Sequence, residues 1–86
     1  MTSGNGGAGE GTYRHYVVDL ARLLKDQARE AKHDSNSSVD SDQSFAAGRL
    51  MAYHEVISLM QQQAEAFGLN LSSLGLHDID PETDLL

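Results

Sequence analysis

The sequence predicts an all-α protein: an antiparallel two-helix hairpin with a disordered glycine-rich N-terminal tail and a C-terminal leucine-rich wrap, able to form a four-helix bundle as a dimer. Three observations predict it. Two long stretches carry apolar residues three and four apart, the period of one helical face. A serine- and aspartate-rich segment separates them, with residues that favour turns and caps. The chain of 86 residues has room for one small core, and it has no cysteine, so helix packing or self-association must stabilise it without disulfides.

Residues 1–11 contain Gly4, Gly6, Gly7, Gly9 and Gly11, which keep backbone entropy high and offer no side chain to bury. This stretch reads as a disordered tail. Gly4 to Gly9 fits the spacing G-x-G-x-x-G, but that fingerprint binds a dinucleotide only between a strand and a helix, and no strand precedes it. A single helical domain is expected over residues 12–86.

The first helix is expected over about 13–33, with Thr12 as its N-cap. Steps of 100° per residue sort its side chains into three sectors. Tyr13, Tyr16, Val17, Leu20, Ala21, Leu23, Leu24, Ala28 and Ala31, with Gln27 among them, form the apolar one. Arg14, Arg22, Lys25, Arg29 and Lys32 form a basic stripe on one flank, and Asp19, Asp26 and Glu30 lie with His15 and His33 on the other. Five of the six basic residues of the chain therefore share one stripe, in a molecule of formal net charge -7.

A loop is expected over 34–40, and a second helix over about 41–67, capped by Asp40 with Gln43 completing a capping box. Ala46, Leu50, Tyr53, Ile57, Met60, Ala64 and Phe67 follow a strict heptad seam. Gly68 stands where a left-handed cap belongs. A second apolar row, Phe45, Ala52, Val56, Leu59 and Ala66, widens the apolar arc to roughly 200°, against the ~100° that a surface helix needs. One neighbouring helix cannot cover that width, so helix two is expected to meet a partner. Facing residues of the hairpin are expected to sum to about 74, which would put Arg49, the one charge in the arc, near Asp26.

The segment 69–86 is acidic yet carries seven large apolar residues, too many for a free tail. It should fold back as a wrap, with Asp80-Pro81 opening a short terminal turn. Leu71 to Leu76 echoes one leucine-rich repeat, but a single copy has no neighbour to stack on.

The chemistry is sparse. A pI near 4.7 argues against nucleic-acid and anionic-membrane partners, and no secretory or membrane-spanning segment is apparent, so a cytoplasmic protein is expected. The 34–42 segment offers oxygen ligands at alternate positions. It departs from an EF-hand at Val39, where glycine belongs, and at Phe45, where a bidentate glutamate should close the site. His15 and Asp19 stand four apart, a spacing that can hold a metal, without a second ligand pair. His54 reads as a surface histidine beside Glu55 and Ser58. No serine has a motif presenting it to a histidine, and no catalytic, cofactor-binding or metal-binding residue is assigned.

The stretch Gly48-Arg49-Leu50-Met51-Ala52-Tyr53-His54-Glu55-Val56-Ile57-Ser58-Leu59-Met60-Gln61-Gln62-Gln63-Ala64, continued through Phe67-Gly68-Leu69 to Asp80-Pro81-Glu82, resembles short uncharacterised proteobacterial proteins that look like acidic helical hairpins. The resemblance implies a bacterial, all-helical, cytoplasmic protein and carries over no site residue.

The function expected from the sequence is non-enzymatic protein–protein interaction, with a second copy or another helical protein. Phe45, Arg49, Tyr53, Val56, Ile57, Leu59 and Met60 are the expected interaction surface. The charged stripe Arg14, Arg22, Lys25, Arg29 and Lys32 would set orientation, either by receiving the acidic C-terminal segment or by meeting an acidic partner. The alternative is a small metal- or ligand-binding protein using the 34–42 loop or the His15/Asp19 pair.

Overall fold

The computed structural model describes residues 9–37 and 40–86; of the disordered tail expected over 1–11, residues 1–8 lie outside them, and Glu10 and Gly11 are helical. Four helices follow in order: α1 (Glu10–Ser37), α2 (Asp40–Ala66), α3 (Leu71–Leu74) and α4 (Pro81–Asp84). Helices α1 and α2 pack as an antiparallel hairpin, α3 packs on both, and α4 packs on α2. With extents of 53 × 25 × 16 Å, the molecule is one hairpin layer with a partial cover.

Helix α2 matches the sequence expectation to one residue at each end, whereas α1 is longer at both ends. Helix α1 starts at Glu10 instead of residue 13, with the Gly9 carbonyl accepting from the Tyr13 amide at 3.1 Å, so Thr12 lies inside the first turn and is not the cap. The acidic Glu10 there favours the positive end of the helix dipole. At its far end α1 runs on through Asp34–Ser37, residues of modest helix propensity, because extending a formed helix costs far less than nucleating one. Contacts from α2 hold this last turn: Arg49 Nη1 lies 3.3 Å from Asp34 Oδ2, and Gln43 Nε2 donates to the Ser35 carbonyl at 3.2 Å. Whether Asp40 caps α2 lies outside the described side chains.

The longer α1 shifts the hairpin register. The Tyr53 hydroxyl donates to Gln27 Oε1, and Arg49 pairs with Glu30 and Asp34, so facing residues sum to about 80 instead of about 74. Asp26 is thereby out of reach of Arg49 and pairs with Arg22 at 3.7 Å.

The core sets alanines of α1 against a mixture of alanines and larger apolar residues of α2. Ala21, Ala28 and Ala31 are buried on α1, and Ala46, Leu50, Ile57 and Ala64 on α2. Alanine lets the two backbones approach, and the heptad side chains fill the gap. Ile79 and Leu85 join this cluster from the C-terminal segment, and Leu76 is buried as well. Two glycines make the chain turn into that segment. Gly68 (φ 71°) ends α2 with the Leu69 amide donating to Ala64 O at 2.8 Å and its own amide to Glu65 O at 3.0 Å. Gly75 (φ 74°) ends α3 the same way, through Leu76 to Leu71 O at 2.9 Å. Both are Schellman caps, whose left-handed residue favours glycine. At α4 the Asp80 carboxylate caps the Glu82 amide at 3.1 Å and accepts from the Thr83 hydroxyl at 3.0 Å, while Pro81 occupies the first helical position.

Candidate functional site

The helical period gives α2 two flanks beside its buried seam. On one lie His54, Ser58, Gln61 and Glu65; on the other lie Phe45, Arg49, Ala52, Val56, Leu59, Gln63 and Phe67. The same division on α1 puts Arg14, Val18, Lys25, Arg29 and Lys32 on one side, and Tyr13, Tyr16, Leu20, Leu23 and Gln27 on the other.

The first side is covered by the chain itself. Lys25, only 8% exposed, carries its ammonium to Asp78 Oδ1 at 2.7 Å. Arg29 reaches the Asp78 carbonyl at 3.4 Å, and Lys32 donates to the main-chain oxygen of Leu86 at 2.6 Å. From α2, Gln61 Nε2 donates to both Leu76 O (3.1 Å) and Ile79 O (2.8 Å). Three residues of the basic stripe thus hold the C-terminal segment within the chain. Arg22 does not join them, being paired with Asp19 at 2.7 Å and Asp26 at 3.7 Å. Arg14 stands apart at the other end of α1, lining a surface concavity with Tyr13, Gly68 and Asn70. The hydrogen bond from Lys25 holds the Asp78 carboxyl below the usual carboxylate range. The hydrogen bond to Asp19 likewise pushes the Arg22 guanidinium above its ordinary value.

His54 belongs to this covered side and is not the surface histidine its sequence neighbours suggested. Its side chain is 15% exposed, its Nε2 stands 4.0 Å from Glu82 Oε2, and neither ring nitrogen meets a protein hydrogen-bond partner.

The second side is open. Tyr16 is 66% exposed, Leu59 60%, Phe67 74% and Phe45 78%; Leu20, Leu23 and Val56 are less so but still exposed. The register of about 80 sets Leu20 beside Leu59 and Leu23 beside Val56, so these side chains form one face across both helices. Toward the turn Arg49 interrupts the face between Phe45 and Ala52; its guanidinium sits 5.5 Å over the Tyr53 ring and pairs with Glu30 and Asp34. Away from the turn the face deepens into an apolar concavity lined by Val17, Met60, Ala64, Phe67, Leu69 and Leu74 among others.

Not all residues expected at an interaction surface lie on this face. Phe45, Val56 and Leu59 do, and Tyr53 and Met60 reach it half-buried. Ile57 is fully buried between the helices, because a strict seam position serves the hairpin first. Tyr16, Leu20 and Leu23, from the apolar sector of α1, belong to the face as well. Of the metal candidates, the 34–42 segment lies partly outside the described residues. Asp34 to Ser37 are helical, and Asp19 is engaged by Arg22. Among the described residues no group of three or more His, Cys, Asp or Glu side chains could hold a metal ion. Among them, too, no helix is long and apolar enough to cross a membrane.

Fold and site together define an all-α helical hairpin latched on one side by its own C-terminal segment and bearing an apolar face on the other. Compared with protein-family models, curated proteins and solved structures, the chain gives no match.

Proposed function

We propose that this protein is a non-enzymatic, cytoplasmic protein–protein interaction module that self-associates through α2. The observation that carries this reading is the open face, where Tyr16, Leu20, Leu23, Val56, Leu59 and Phe67 stand 36% to 74% exposed on adjoining helices. Monomeric proteins rarely leave a contiguous patch of this kind wet. The six side chains expose on the order of 600 Å2 per protomer, close to the ~800 Å2 per partner of a stable interface. Stacking two such faces makes a four-helix bundle.

Light scattering behind size exclusion, across a hundredfold range of concentration, tests the proposal. The expected result is a mass rising from 9.3 kDa toward twice that value, with a melting temperature that rises in step. A constant monomer mass with a constant melting temperature refutes self-association.

A further inference from the structure

The open row of α2 runs between two phenylalanines, Phe45 and Phe67, with Val56 at its midpoint. A two-fold axis at Val56 sets Phe45 against Phe67, Arg49 against Gln63, Ala52 against Met60 and Tyr53 against Leu59, with all nine positions on the seam edge or the open flank. In such an arrangement each contact occurs twice, and no like charges oppose one another.

From this, and resting on the self-association reading above, we infer that the partner is a second copy docked antiparallel, α2 against α2, with the two-fold axis at Val56. Charge and shape both select this arrangement. Arg49 is the only formal charge on the row, and its own carboxylates, Glu30 and Asp34, already flank it. In the antiparallel pair the two Arg49 side chains stand about 21 Å apart, beyond the ~8–10 Å screening length, and each faces an uncharged Gln63. A parallel pair would set Arg49 against Arg49 and cost affinity.

Phe45 supplies the shape argument. It is 78% exposed near the turn, whereas the apolar concavity of about 350 Å3 lies at the opposite end of the hairpin around Phe67. Within one chain they are 22 residues apart along α2, about 33 Å, and cannot meet. Across the two-fold axis Phe45 of each copy arrives at Phe67 of the other, where Val17, Met60 and Leu69 line the concavity. A large aromatic seated in an apolar pocket at both ends, around a packed Val56 centre, is the pattern of an interface held by a few anchors.

The chain has no native cysteine, so single cysteines report the arrangement directly. Full-length Val56→Cys, Gln62→Cys, Phe45→Cys and Phe67→Cys are mildly oxidised at concentrations where the wild type is dimeric, and cross-linked dimer is read on a non-reducing gel. Gln62 is exposed on the side of α2 turned away from the row and serves as the control. Val56→Cys should cross-link at least roughly fivefold more than Gln62→Cys, because only residues within about 7 Å between Cα atoms can be bridged. A mixture of Phe45→Cys with Phe67→Cys should give a mixed disulfide exceeding either variant alone. If the wild type dimerises by light scattering while Val56→Cys links no better than Gln62→Cys, or Phe45→Cys links to itself in preference to Phe67→Cys, the antiparallel arrangement is wrong and self-association stands. If the wild type remains monomeric at every concentration, both fall together.

Discussion

The two sides of the hairpin differ in what their helices present: polar and charged side chains on one, apolar side chains on the other. On the covered side, Leu76, Ile79 and Leu85 lie buried beneath or beside a segment held by Lys25, Arg29, Lys32 and Gln61. On the open side, Tyr16, Leu59 and Phe67 stay largely exposed, with no described segment over them. The difference lies in the polar groups flanking the apolar residues. An irregular segment laid over a helix pair brings its own carbonyls, and each buried one needs a donor. The covered side supplies donors at three levels: Gln61 to Leu76 and Ile79, Arg29 to Asp78, and Lys32 to Leu86. On the open side Arg49 is occupied by α1, and Gln27 accepts from Tyr53. That side suits a regular helix, which arrives with its backbone already hydrogen-bonded.

The comparison breaks most visibly if the covered side is not a true core. Leu76 is 1% exposed, and Leu76→Ala should lower stability by about 2–4 kcal/mol through lost burial and a cavity, measured by urea unfolding. A cost below about 0.5 kcal/mol would mean that the C-terminal segment rests loosely on the hairpin. Gly75→Ala comes next, at about 1 kcal/mol. Its φ of 74° is strained for alanine, while the new Cβ would meet Val18 and Ala21 only at 3.7 Å and beyond. Gly68→Ala has the same backbone cost and open space around it, so the two variants should unfold alike. A much larger loss at Gly75 would reveal crowding against α1.

Much of this fold is legible in the sequence, because helix period, Gly68 and Asp80-Pro81 act through local geometry that no tertiary contact overrides. The heptad seam from Ala46 to Ala64 is buried or half-buried as its spacing predicts, and Phe67, just past the helix end, is the exception. Register was not legible. It depended on where α1 ends, and Asp34–Ser37 read locally as a turn yet continue the helix under contacts from Arg49 and Gln43. The six-residue slip moved Arg49 from Asp26 to Glu30 and Asp34. The sides of the hairpin were half legible. The basic stripe and the acidic terminus could be matched by charge, whereas the role of Gln61 and the burial of His54 follow only from where the returning chain lies.

A smaller effect sharpens the electrostatic part of the latch. Lys25 holds the Asp78 carboxyl below its ordinary range, so the pair's contribution is present above about pH 4 and is lost as pH falls through the depressed folded value. Asp78→Asn should therefore flatten the acid limb of melting temperature against pH below about 4, with a minor drop at neutral pH. Acid limbs that run parallel in wild type and variant would assign the acid sensitivity to other carboxylates.

The smallest effect on the folded monomer should come from the open side, and there the two sides differ most in kind. Leu59 is 60% exposed, so Leu59→Asp removes little buried area within the chain and should change monomer stability by no more than about 0.5 kcal/mol in dilute urea titrations. In the dimer the same aspartate would be desolvated opposite Tyr53 of the other copy, where Arg49 is already paired with Glu30 and Asp34, a cost that opposes association. The signature is therefore a variant that melts like the wild type at low concentration and fails to gain stability as concentration rises. If Leu59→Asp instead unfolds the monomer, Leu59 belongs to the hairpin core, and the open face is narrower than its exposure indicates.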